Sequence, residues 1–143
     1  MKVEIKKLEV GLPTPKYAKH GDAGMDVYAR ESTVIQPSEH KLVGTGLALA
    51  VPYGFELQVR PRSGLAYKHG VSIVNSPGTV DHGYRGEVGI ILINHGKAPF
   101  VVNRGERIAQ FVFNKVEMVH LEEVADLSST DRGAGGFGST GTQ

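Results

Sequence analysis

Three short clusters combine a charge, a hydroxyl and glycine closely enough to do chemistry. Gly78-Thr79-Val80-Asp81-His82-Gly83-Tyr84-Arg85-Gly86-Glu87 sets a carboxylate three residues from an aromatic ring. Asp-His-Gly is a sound turn sequence, so its plainest reading is a hairpin tip. A carboxylate and a ring so spaced also suit a water base beside a surface on which a sugar stacks. Pro61-Arg62-Ser63-Gly64-Leu65-Ala66 offers a planar fork for phosphate oxygens, a hydroxyl, and a glycine that lets the backbone come close. A helix starting there would add its free N–H groups to an anion seat. The plain alternative is a capped loop with an exposed arginine. Ala23-Gly24-Met25-Asp26-Val27-Tyr28-Ala29, taken alone, is a turn leading into a strand.

The C-terminus invites a different reading. From Arg132 it runs R-G-A-G-G-F-G-S-T-G-T-Q, with five glycines from Gly133 to Gly141 and Phe137 as its one large apolar side chain. Such a segment cannot build a core and is expected to be mobile when alone. Gly133, Gly135 and Gly138 satisfy the G-x-G-x-x-G dinucleotide pattern, but only five residues follow Gly138. That leaves no room for the helix the pattern requires. What remains is a flexible strip carrying Arg132 and Phe137, able to close over an anion and a flat ring.

The elements that must position these groups read as strands. Nineteen glycines and seven prolines in 143 residues punctuate short apolar stretches, the pattern of many strands joined by tight turns. Phe55 to Arg60 alternates apolar and polar, and with Leu47 to Val51 across Pro52-Tyr53-Gly54 it suggests a hairpin. Val71 to Val74, Val88 to Asn94, Phe100 to Asn103 and Ile108 to Phe113 are further strand candidates, and Val3 and Ile5 begin another alternation. Helix is scarce: Ser63 to His69 predicts one short helix, with Ser63 near its start. Val116, Met118 and His120 alternate and favour strand, while Leu121 to Ala125 could make a helical turn. The sum is an all-β sandwich, jelly roll or barrel.

Composition narrows the function. The chain has the length of one ordinary domain, and a 40% hydrophobic and 22% charged content suits a soluble core-forming protein. Sixteen basic against fifteen acidic residues argue against a broad nucleic-acid or membrane-surface binder. With no cysteine, thiol catalysis and thiolate metal sites are excluded. The six histidines (20, 40, 69, 82, 95 and 120) show no metal-ligand spacing. No signal-like or membrane-length apolar run is present, so a cytoplasmic protein is expected.

Together the clusters are far more specific than any one alone. In order, A-G-M-D-V-Y-A, P-R-S-G-L-A, G-T-V-D-H-G-Y-R-G-E-V, G-E-R-I-A-Q and R-G-A-G-G-F-G-S-T-G resemble the five motifs of the trimeric dUTPases, the deoxyuridine triphosphate nucleotidohydrolases, from about Gly21 to Gly141. The resemblance implies a jelly-roll-like domain over residues 1–131 and a flexible arm over 132–143 that closes a neighbouring subunit's site in a homotrimer. It implies hydrolysis of dUTP to dUMP and pyrophosphate, which lowers dUTP and supplies dUMP for thymidylate synthesis.

Residue by residue, Asp81 matches the carboxylate that directs water at the α-phosphorus. Thr79, Val80, Gly89 and the Asn75 amide match groups that read uracil, and Tyr84 matches the ring beneath the deoxyribose. Arg62, Ser63 and Gly64 match a phosphate loop, Gln110 a glutamine near the α-phosphate, and Asp26 a carboxylate supporting the phosphate site. In the arm, Phe137 would stack on uracil while Arg132, Gly138, Ser139 and Thr140 hold the terminal phosphates. Mg²⁺ is expected on the triphosphate and its waters, with no protein cage. The competing readings are a dCTP deaminase-like enzyme or a non-catalytic nucleotide-binding module on the same fold. The former would place a second serine and a further arginine near Gly64-Leu65-Ala66-Tyr67, which this chain lacks.

Overall fold

Alternation along Phe55–Arg60 (β6) buries Leu57 and Val59 and leaves Glu56, Gln58 and Arg60 on the half-covered face. In the computed structural model, which describes residues 1–143, the remaining strands are Glu4–Lys7 (β1), Met25–Tyr28 (β2), Thr33–Ile35 (β3), His40–Gly44 (β4), Leu47–Ala50 (β5), Val71–Ile73 (β7), Gly78–Val80 (β8), Gly89–Asn94 (β9), Phe100–Val102 (β10) and Arg107–Lys115 (β11). Ser63–His69 forms the one helix, α1. The architecture is all-β, as the punctuation predicts.

One sheet has the order β2-β11-β6-β8 and a second the order β4-β9-β7; β1 pairs with β5 and β3 with β10. Every pairing is antiparallel. Val27, Leu57, Val59 and Phe111 from the first sheet meet Val43, Ile73, Ile90 and Leu92 from the second in one core. Consecutive pairs Ile108-Ala109 and Phe111-Val112 are buried, so β11 is covered on both faces. That is why its sequence runs apolar instead of alternating.

The helix begins after Arg62, which is extended at φ −91° and ψ 128° with no side-chain cap; Ser63 is already inside the first turn. It ends at Gly70 in the left-handed region, φ 66°, whose N–H returns to the carbonyls of Leu65 and Ala66.

Three expectations fail. Leu47–Val51 and Phe55–Arg60 do not form a hairpin. The turn closes, with the Phe55 N–H donating to the Pro52 carbonyl at 3.1 Å. However, β5 departs to β1 while β6 joins β11 and β8. Leu47, Ala48 and Leu49 are all buried, so both faces of β5 lie against other parts of the chain. Asp81 is not at a hairpin tip either. β8 pairs with β6, and β9 pairs with β4 and β7, so residues 81–88 cross from one sheet to the other. Residues 116–125 form neither strand nor helical turn. After the Val116 N–H reaches the Gly54 carbonyl at 2.9 Å, Met118, Val119, Leu121 and Val124 lie exposed, with no layer of the same chain to cover them.

Two outcomes follow from this packing. Phe111→Ala is expected to cost about 3–5 kcal/mol in urea unfolding, because its ring fills the space between the sheets. Glu106 accepts from the Asn103 side chain at 2.8 Å and the Asn103 N–H at 3.1 Å. These bonds, the side-chain one foremost, hold its carboxyl below its ordinary value of 4.5. The folded value lies below the unfolded one, so this stabilisation is present above pH 4.5 and is lost as pH falls through the folded value. Glu106→Gln should therefore lower Tm slightly at pH 7, and the gap from the parent should close under acid. A gap that stays constant in thermal melts across this range would contradict the assignment.

Candidate functional site

The sheet order β2-β11-β6 makes neighbours of residues far apart in sequence. Gln110 on β11 stands opposite Asp26 on one side and Arg60 on the other. The Gln110 amide donates to the Pro61 carbonyl at 2.9 Å, which ties β11 to the start of the Arg62 loop. Arg62 Nε donates to Asp26 Oδ1 at 3.1 Å, and its Nη1 donates to the Arg107 carbonyl at 3.2 Å. Arg107 Nε lies 3.9 Å from Asp26 Oδ2. One carboxylate thus sits between two guanidinium groups, and local charge stays positive. Guanidinium carries five N–H donors, so Arg62 keeps most of its fork for an incoming anion.

Two clefts open here. Asp26, Gln110, Gly24, Tyr28, Lys16 and Arg107 are among the groups around one of about 360 Å³. Arg62 and Arg107 also face a wider one of about 670 Å³, beside His69 and Phe100. Gly24 lies against Gln110: a Cβ there would land on Gln110 Oε1, so that side chain would have to shift.

The crossing loop builds a third cleft. Thr79, Val80, Asp81, Tyr84, Glu87, Val88 and Gly89 surround a narrow space of about 170 Å³. The Tyr84 N–H donates to the Asp81 carbonyl at 3.1 Å, which closes a turn and brings carboxylate and ring to one side. His82 Nδ1 contacts the Val51 carbonyl at 2.7 Å and pins the loop to the body, so this nitrogen carries the proton. Asp81 is exposed and takes part in none of the chain's ion pairs. Because β8 ends its sheet, one edge of Thr79 and Val80 is left without a strand partner.

The structure therefore brings the sequence-predicted residues together in two groups. Asp81, Tyr84, Thr79, Val80 and Gly89 share the loop cleft, while Asp26, Arg62 and Gln110 cluster around β11. The two groups line separate clefts. Asn75 is exposed in the turn before β8 and lies outside the loop cleft's walls, and Ser63 and Gly64 are exposed on the first turn of α1. Arg132, Gly138, Ser139 and Thr140 are exposed in the arm and touch neither group's cleft. Phe137 is fully exposed, on a left-handed backbone of φ 52°. No cluster of three or more His, Asp or Glu groups could hold a metal ion.

The sequence model of the dUTPase family matches residues 11–141. The chain belongs to the dUTPase family. It is 55% identical to the deoxyuridine 5'-triphosphate nucleotidohydrolase of Gloeothece citriformis, over 99% of this chain and 97% of that one. It is 54% identical to the protein of the same name from Clostridium acetobutylicum, over 97% and 96%. Among solved structures, the dUTPase of Staphylococcus bacteriophage 80alpha with dUPNHPP superposes with a TM-score of 0.92 at 27% identity, covering 99% of each chain. All five of the motif-like segments quoted from the sequence lie within the matched residues.

Arg107 escapes a reading by spacing. It lies three residues before Gln110, which in a regular strand puts the two on opposite faces. A register shift between Arg107 and Ala109 turns the strand, so both line one cleft. Lys16, in an irregular segment, carried no signal at all.

Gly24→Ala tests the packing directly. The methyl group should expel the Gln110 side chain from the Pro61 carbonyl, visible as a changed Gln110 side-chain amide resonance, and cost about 1–3 kcal/mol in urea unfolding. An unshifted amide with unchanged stability would contradict the close approach.

Proposed function

We propose that this dUTPase-family chain hydrolyses dUTP to dUMP and pyrophosphate by attack of water on the α-phosphorus. The observation that carries the reading is the loop cleft, where one exposed carboxylate, one ring and one open strand edge converge. The free edge of Thr79 and Val80, with Gly89 opposite, offers backbone donors and acceptors to the edge of uracil, and the Asn75 amide adds to them. Fixed polar partners reject a base that leaves them unpaired. Tyr84 offers the face of its ring to the deoxyribose, where its bulk excludes a 2′-hydroxyl.

Asp81 orients the attacking water and takes its proton. Carboxylates are weak bases, and this one is exposed and outside the chain's ion pairs. Most of the acceleration must therefore come from placing the water in line and from cations at the phosphates. Arg62, aimed by Asp26, supplies one such cation, joined by Ser63, Gly64 and Gln110. Mg²⁺ would arrive on the triphosphate, with Asp26 reaching it through water. When bound there, Mg²⁺ neutralises charge on the phosphate oxygens.

Since the two groups of residues line separate clefts, a complete site calls for more than one copy. A homotrimer supplies it, with Asp81 and Tyr84 from one subunit and Arg62 and Gln110 from another. The exposed Met118, Val119, Leu121 and Leu127 are apolar surface that such an assembly would cover. Residues 132–143 act as the arm, distinct from the 1–131 body: Phe137 stacks on the base, and Arg132, Gly138, Ser139 and Thr140 close over the phosphates. No helix is long and apolar enough to cross a membrane, and a soluble nucleotide substrate suits work in the cytoplasm.

With Mg²⁺ present, pyrophosphate release is expected from dUTP and not from dCTP, dTTP or UTP. Ammonia released from dCTP would overturn the reading in favour of deamination. Asp81→Asn should lower kcat by about 10²–10⁴-fold while nucleotide binding persists. Removal of 132–143 should leave the fold intact and sharply reduce turnover; full turnover without the arm would refute its role.

A further inference from the structure

We propose that Arg30 is a positioning residue for sugar selection, acting on Tyr84 through Glu87; this rests on the reading of Tyr84 as the deoxyribose platform. Tyr84 Oη donates to the Glu87 carbonyl at 2.7 Å, so the ring folds back over its own loop. Gly86 permits this, since a Cβ there would lie 2.5 Å from the Tyr84 hydroxyl and 2.7 Å from its ring carbon. The ring is thus only as fixed as the backbone of Glu87.

That backbone is held from two sides. On one, Val88 N–H donates to the Leu47 carbonyl at 2.8 Å, and the buried Thr45 hydroxyl donates to the Val88 carbonyl at 2.7 Å. On the other, the Glu87 carboxylate accepts from Arg30 Nη1 and lies over Gly44, where a Cβ would land on it. Arg30 belongs to the body of the protein: its N–H donates to the Gly44 carbonyl at 2.8 Å, and its Nε lies 3.7 Å from Glu9. Arg104 completes the frame, donating to the Arg30 carbonyl at 2.5 Å and lying 3.5 Å from Glu9. Two arginines and two glutamates form a neutral chain from the N-terminal segment to the loop that carries Tyr84.

Both members of the Arg30–Glu87 pair are partly exposed, and such a pair adds little to global stability. Its effect is local and geometric. A ring free to swing no longer fills the space where a 2′-hydroxyl would sit, so UTP gains more than dUTP loses.

The test compares kcat/KM for dUTP and UTP in the intact enzyme and in Arg30→Gln, Arg30→Lys, Glu87→Ala, Tyr84→Ala and the double variant Arg30→Gln/Tyr84→Ala. Arg30→Gln and Glu87→Ala should each lower the preference for dUTP by about tenfold, mainly through improved use of UTP. Arg30→Lys should restore most of it, and Arg30→Gln should add little once Tyr84 is already alanine. If Arg30→Gln does not fold, Glu87→Ala cuts the same link from the other side and decides the matter. An equal loss on both substrates, with the preference intact, would make the pair merely structural and overturn the proposal while Tyr84 keeps its role. If Tyr84→Ala itself leaves the preference unchanged, the sugar reading falls and the link to Arg30 falls with it. An enzyme inactive on dUTP would fail at the reaction instead.

Discussion

β11 is gripped on both sides and covered on both faces, and the arrangement of charge depends on that confinement. Its antiparallel register fixes Gln110 between Asp26 and Arg60. Arg62 leaves β6 two residues beyond Arg60 and meets the Asp26 carboxylate, while Gln110 reaches the Pro61 carbonyl. Slipping the strand by one residue would turn Gln110 to the other face. The buried Ile108, Ala109, Phe111 and Val112 make such a slip prohibitive, since a shift in either direction would carry Gln110 into a position that an apolar side chain now fills. Packing thus holds Arg62, Arg107 and Asp26 in an arrangement that their own weak surface ion pairs could not fix.

The second half of the chemistry has a different support. Residues 81–88 span the gap between two sheets, so their conformation answers to both. β8 at one end leaves a strand edge open, and β9 at the other enters the second sheet. Between them the loop is tied down at His82, Tyr84, Glu87 and Val88. Asp81 is the exception, with its carboxylate turned to solvent and left out of the ion pairs. A base that must handle water gains from such freedom, provided its backbone does not move. In the proposed reaction, rigidity belongs to the loop and availability to the carboxylate.

Much of this was legible in the sequence. Alternation marks β6, apolar runs mark β9 and β11, and the glycine-rich tail stands apart. The ordered motifs contain most of the residues that line the loop cleft and those that cluster around β11. What local reading missed was set by long-range pairing. Pro52-Tyr53-Gly54 does make a turn, yet its flanking strands join different partners, β5 with β1 and β6 with β11 and β8. Asp81-His82-Gly83 has turn chemistry, but nothing in those residues says that the chain then changes sheets. Arg107 was hidden by a bulge that breaks the two-residue period. Arg30 and Glu87, separated by 57 positions, meet only in the fold. Val116, Met118 and His120 carry strand-like alternation with no partner strand inside one chain, and an assembly is what would give that pattern a use.

In the proposed assembly, the loop cleft of one subunit and the β11 cleft of another form one site. Subunit mixing tests it most directly. Asp81→Asn and Arg62→Ala chains, each inactive on its own, are unfolded together, refolded and assayed for pyrophosphate release from dUTP. Shared sites predict that activity returns, at about a quarter of the wild-type level for an equal mixture of randomly assembled copies. A mixture as inactive as its parents, in verified mixed oligomers, would mean that each chain builds its site alone.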